Sequence, residues 1–314
     1  MRELLAAGDE VVCLARAESG SVPERARLVR ADRRTPGAYD PVLGEWDEVI
    51  ELAYRPDLVE PALAALADGA AHWTLVSTVS VYAQNTEPHA DESAAVVEPS
   101  DLSEYADAKV AAERSAASRL GRRLMIARPG LIVGPGDPSD RFGYWPARLS
   151  RRGPALVPTL GDRFVQVIDV ADLASWIAHA GRDGRTGIAN AVGPALPMRH
   201  FFEELVEVTG FDGELVEVDD DVLLAAGVRY WAGPRSLPLW LPSSETGFAQ
   251  RSGRAYLEAG GAVRPLRDTL TDVRDDERAR GIDRQRRAGL SADEEESVLS
   301  SPAGPVAARR GSQR

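Results

Sequence analysis

One cysteine and four histidines in 314 residues leave no cluster at metal-ligand spacing and no framework for disulfides. The expectation is a protein without a metal. The single thiol, Cys13, lies in the apolar run VVCLA and reads as a buried structural group. No apolar run approaches the roughly 20 residues that cross a bilayer. The opening MRELLAAGDE turns acidic before a signal-peptide core could develop. A formal net charge of −12 argues against nucleic acid or an anionic membrane as partner. These absences leave a cytoplasmic protein whose partner is a small molecule.

Lysine is nearly absent as well. Of 37 basic residues only Lys109 is a lysine, and the rest are arginine. A compact ammonium and a planar guanidinium are not interchangeable where a point charge is needed. Lys109 therefore asks for its neighbours to be read.

What is present suits a large α/β protein, with 44% hydrophobic residues and enough length to bury a core. Residues 2–7 read as the end of a helix closed by Gly8. The run 11–15 reads as a strand covered on both faces, with further strands in 25–32, 47–54, 72–78 and 122–130. Helical spacing marks 57–68 and approximately 103–120. Strand and helix alternate, as in a doubly wound parallel sheet. Beyond Gly130 the elements shorten and Pro, Gly and Trp become frequent. There, 166–180 reads as a strand running into a helix, 197–210 and 265–281 as helices, and 213–218 as a strand. The Pro-rich 231–244 reads as a loop over something apolar. Residues 282–314 are charged, Ser-rich and poor in large apolar groups, which predicts a mobile tail.

Tyr105 and Lys109 fall four residues apart in YADAK, hence on one helix face about a turn apart. A free tyrosine has a pKa of about 10 and moves protons poorly at neutral pH. A nearby ammonium favours the tyrosinate and makes the phenol useful as an acid or base. Hydride transfer at an alcohol or carbonyl carbon needs such a group, since the oxygen must lose or gain a proton. Thr78, at the end of the strand WTLVST, is placed to hold that oxygen. With seven tyrosines in the chain, chance would put one at this spacing only about 2% of the time. A solvated surface pair is thereby disfavoured.

Over roughly 1–280 the chain resembles the extended short-chain dehydrogenase/reductases, the NAD-dependent epimerase/dehydratase group. STVSVYA (77–83), YADAK, ARPGLIVGPGD (127–137) and RFVQVIDVADLA (163–174) carry the likeness. DRFGYWPAR (140–148) and LPLWLP (237–242) are most similar to a bacterial 2′-hydroxyisoflavone-reductase-like subgroup. The resemblance implies a Rossmann-type doubly wound sheet over 1–192, with part of the substrate lobe inserted around 136–165. A smaller substrate lobe over 193–281 and the tail over 282–314 would follow. It implies Tyr105 as general acid/base, Lys109 as ligand of the nicotinamide ribose, and Thr78 as holder of the substrate oxygen. Asp32 would lie beside the adenine, Leu52 and Ala53 would line the cofactor channel, and Pro129 would approach the nicotinamide. The second strand ends in Arg16 with no acid to grip a ribose 2′-hydroxyl, so NADP is expected rather than NAD. A homodimer is possible within the family.

The family's opening strand and Gly-rich turn have no counterpart here. That strand is central, between the strands at 11–15 and 47–53, so its absence predicts a gap in the sheet. The expectation is a true start about 20 residues upstream, the length of a strand and its turn; the alternative is a truncated chain that binds cofactor poorly. The expected activity is NAD(P)-dependent oxidoreduction of a small, fairly apolar ketone or secondary alcohol, with Trp145, Trp231 and Trp240 as candidate pocket residues. The alternatives are a nucleotide-sugar epimerase or a non-catalytic NAD(P)-binding regulator. A dehydratase is disfavoured, because Val79 and Ser80 stand where those enzymes carry Asp and Glu after the threonine.

Overall fold

A computed structural model describes residues 1–18 and 20–301. The chain divides into two compact units. Among the described residues, the first holds 1–132, 170–194 and 251–263, and the second holds 133–169, 195–250 and 264–301. The segment 251–263, expected in the substrate lobe, thus belongs with the first unit. Its helix Arg254–Glu258 packs on the strand Gly187–Ala191.

The first unit begins with α1 (Arg2–Ala6), β1 (Val12–Ala15), β2 (Arg27–Arg30) and β3 (Trp46–Glu51), then α2 (Pro56–Leu66), β4 (Ala70–Val76), α3 (Tyr105–Leu120) and β5 (Leu124–Pro129). Four parallel strands form one sheet in the order Gly187–Ala191, β5, β4, β3. Helical crossovers join β3 to β4 and β4 to β5, as parallel pairing requires. α2 starts with Pro56, whose missing N–H costs nothing in a first turn, and buries Val59, Ala62, Leu63 and Leu66 at helical spacing. These meet Trp73 and Leu75 of β4 and Ile126 of β5 in one core. At Gly69 the backbone passes so close that a Cβ would lie 2.1 Å from the Gly44 carbonyl oxygen. Only glycine admits the bond from Trp46 N–H to the Gly69 carbonyl.

β1 and β2 pair in parallel but form a separate two-stranded sheet. Among the described residues no strand pairs with the second edge of β1 or of β3. The break falls between the strands where the sequence predicts a gap. It also corrects one expectation: β1 is half-buried along its length, Cys13 included, rather than covered on both faces. A strand paired on one edge keeps part of its surface in water.

In the second unit the strands are short, and Ala155–Pro158 pairs in parallel with Leu215–Val218. The helices Arg141–Leu149, Met198–Thr209 and Leu266–Arg280 pack together around Phe142, Trp145, Phe201 and Phe202. The region 231–244 contributes the two-residue strand Ser236–Leu237 and the start of a 3-10 helix over Ser243–Ala249, with Leu237 and Trp240 fully buried. The expected mobile tail is corrected for 282–301. Ala292–Leu299 is a helix with a capping box between Ser291 and Glu294. Its buried Glu295 accepts from Arg148 Nε at 2.5 Å and from Leu156 N–H at 2.9 Å. The remainder of that segment, 302–314, lies outside the described residues. Among the described residues no helix is long and apolar enough to cross a membrane, and no cluster of His, Cys, Asp or Glu is suited to a metal ion.

Candidate active site

Six candidate residues of the first unit occur at or just after the end of a strand. Arg16 follows β1, Asp32 follows β2, Leu52 and Ala53 follow β3, Thr78 follows β4, and Pro129 ends β5. In open α/β sheets ligands bind beyond the carboxyl ends of the strands.

α3 begins at Tyr105, which is 46% exposed, and one turn later buries Lys109 to 4%. The Lys109 ammonium donates to the Val76 carbonyl at 2.6 Å, at the end of β4 and two residues before Thr78. It lies 5.9 Å from the centre of the Tyr105 ring and 5.2 Å from that of Tyr54. The two rings meet edge to face, with centroids 5.0 Å apart. Burial lowers the lysine pKa to about 8, against the opposing pull of Glu113 and Glu51. An amine so placed is still largely charged at neutral pH.

Thr78 is buried and caps a single helical turn over Val79–Val81. Its Oγ1 accepts from Ser80 N–H and donates to Ser80 Oγ, both at 3.1 Å. Behind this turn Tyr82 donates to Asn190 Oδ1 at 2.6 Å and accepts from Arg128 at 3.1 Å. Arg128 closes a buried two-point ion pair with Glu113 of α3, at 3.0 and 2.6 Å. The helix carrying Tyr105 and Lys109 is thereby fastened to β5.

Several other candidates have partners of their own. Asp32 shapes its own turn by accepting from Arg34 N–H at 3.0 Å. Arg16 is exposed and pairs with Glu18 at 3.1 Å. Leu52 is 68% exposed. Trp145 and Trp240 prove to be core: they are fully buried, and their indoles donate to the Pro238 carbonyl and to Asp220. Large apolar rings carry the same sequence signature in a core as in a pocket. Trp231 alone of the three lines a depression within the second unit, with Phe164, Gln166, Leu239 and Phe248.

Sequence reasoning missed Tyr54 and Glu51. Glu51, 4% exposed, accepts from Ala53 N–H at 2.7 Å and is paired with Arg33. A carboxylate inside the apolar run VIELA was a readable signal, since an acid is rarely buried without a partner. Tyr54 directly follows Leu52 and Ala53, but its partners stand far along the chain.

Known proteins resemble this chain over part or most of its length. Residues 58–193 match the model of the NAD dependent epimerase/dehydratase family. Over that segment the chain is similar to the NAD-dependent epimerase/dehydratase family. No curated protein matches the sequence. Among solved structures, an epimerase candidate from Burkholderia cenocepacia J2315 is 24% identical, with 88% of this chain and 93% of that one covered and a TM-score of 0.65. UDP-glucose 4-epimerase from Thermotoga maritima, solved with UDP-glucose, is 17% identical, with 89% and 94% covered and a TM-score of 0.61. RMD from Pseudomonas aeruginosa, complexed with NADPH, is 20% identical, with 89% and 95% covered and a TM-score of 0.59. Identities this low establish a shared fold. The fold is thus an α/β, Rossmann-like one, and any catalytic machinery has to be argued from this chain's own residues.

Proposed function

We propose that this protein transfers hydride between a nicotinamide cofactor and a small carbonyl or secondary-alcohol carbon, with Tyr105 as the acid/base. The observation that carries the reading is the buried Lys109 ammonium, fixed by the Val76 carbonyl and set against Tyr105. In the reducing direction the Tyr105 hydroxyl protonates the substrate oxygen, and Lys109 stabilises the resulting tyrosinate. The exposure of Tyr105 lets water restore the proton. The Thr78 O–H, directed at Ser80 Oγ, is the donor that would turn to hold the substrate oxygen.

The nicotinamide end of a dinucleotide fits these residues. Lys109 uses one of its three N–H donors on Val76, which leaves donor capacity for ribose hydroxyls. Pro129 at the end of β5 and Ala53 after β3 would flank the ring, with Leu52 along the channel and Asp32 toward the adenine. When bound, the cofactor supplies the hydride in reduction or takes it up in oxidation. Arg16 favours NADP, because its exposed pair with Glu18 costs little to exchange for a 2′-phosphate; NAD remains the alternative. The reading takes the substrate to be small and fairly apolar.

The test is cofactor consumption with NADPH or NADH and a panel of aryl and alkyl ketones. Turnover that falls by about 10²–10⁴ in Tyr105→Phe is the expected outcome. A second reading, epimerisation of a nucleotide sugar, draws on the likeness to UDP-glucose 4-epimerases. It would show as tightly retained NAD(H) with no net turnover. Cofactor binding unaffected by Tyr105→Phe, without chemistry on any substrate, would instead mark a regulator.

A further inference from the structure

The loop after β3 places an aromatic ring on the amine that the mechanism depends on. We propose that Tyr54 is a positioning residue of the Tyr105–Lys109 pair, its ring face holding the Lys109 ammonium and its contact with Tyr105 fixing the phenol. The proposal rests on the reading of that pair as the proton-transfer machinery.

Tyr54 is half-buried, and its ring centre lies 5.2 Å from Lys109 Nζ, within the reach of a cation–π attraction. Its edge-to-face contact with Tyr105, at 81° between planes, restricts the phenol to part of its rotational range. The other groups facing the ammonium are few. α3 contributes Tyr105 and Glu113, β3 contributes Glu51, and β4 contributes the Val76 carbonyl. Both carboxylates are already bonded to guanidinium groups, Glu113 to Arg128 and Glu51 to Arg33. Their hold on Lys109 is correspondingly diluted. A π face offset from these pairs is then a substantial remaining contact that favours the charged amine over the neutral one. Without it, burial would strip the proton at a lower pH and remove the stabilisation of the tyrosinate.

The one-lysine composition gives a clean readout that needs no cofactor. Protein grown on ¹³Cε-lysine yields one lysine resonance, and its titration reports Lys109 alone. Tyr54→Phe keeps the π face, and its midpoint is expected within about 0.3 pH unit of the parent. Tyr54→Leu keeps apolar cover but removes the face, and its midpoint is expected to fall by roughly half to one pH unit. Should Tyr54→Leu fail to fold, Tyr54→Met carries the same expectation. A midpoint that stays put in the non-aromatic variants, or that rises because water now reaches the amine, overturns the proposal. The alkaline limb of kcat/KM should move down with the titration in Tyr54→Leu and return in Tyr54→Phe. Absence of turnover in the parent protein would sink the proposed activity and leave the titration result intact.

Discussion

At the ε-amino group of Lys109 burial and nearby carboxylates act in opposite directions, and burial prevails, lowering the pKa from its ordinary value near 10.5 to about 8. The unfolded chain therefore holds this proton over a pH range in which the folded chain has released it. Stability linked to Lys109 is present above about 10.5 and is lost as pH falls through about 8. Urea unfolding of the parent and of Lys109→Met should show the parent gaining on the variant between those values. A difference that stays flat across the window would mean the amine is not desolvated as described. The Tyr105–Lys109 pair was legible because a helix turns a four-residue spacing into proximity. Tyr54 was not, because it meets Lys109 only after β3 and α3 have been brought together by the sheet. Trp145 and Trp240 were named only as pocket candidates, because size and apolarity do not distinguish core from pocket.

Among the elements, α3 carries Tyr105 and Lys109 and is tied to β5 through Glu113 and Arg128, both nearly inaccessible to water. Removing one partner of a buried pair leaves the other charge uncompensated. Glu113→Ala should cost about 3–5 kcal/mol in denaturant unfolding. A loss under 1 kcal/mol would show that the pair is solvated in solution. The open edges of β1 and β3 have a dynamic consequence. Amides of β1, paired only with β2 and half-buried, should exchange with solvent deuterium well before those of β4, which is paired on both sides. Equal protection would show that β1 is held by more than its single ladder. The alternation of strand and helix was legible from hydrophobic periodicity, and so was the place of the break. The helix Ala292–Leu299 was hidden by its charged composition, although Ser291 and Glu294 stand at capping-box spacing and Val298 supplies the apolar anchor.

Over the whole molecule, the first unit holds Tyr105, Lys109 and the strand ends. The second supplies small apolar depressions in an aromatic-rich core. The return of 251–263 to the first unit was not legible, because it depends on long-range contacts. Arg251 stacks on the Tyr82 ring at 4.2 Å, and the Ser252 carbonyl accepts from Asn190 at 3.2 Å. The central claim is that Tyr105, assisted by Lys109, governs hydride transfer to a carbonyl carbon. Mass spectrometry of the alcohol formed from a ketone and 4-deuterated NADPH tests it most directly. Deuterium should appear at the carbinol carbon with the parent protein and fall by about 10²–10⁴ in rate with Tyr105→Phe. Equal transfer by Tyr105→Phe, or none from the parent with any ketone or either cofactor, would contradict it.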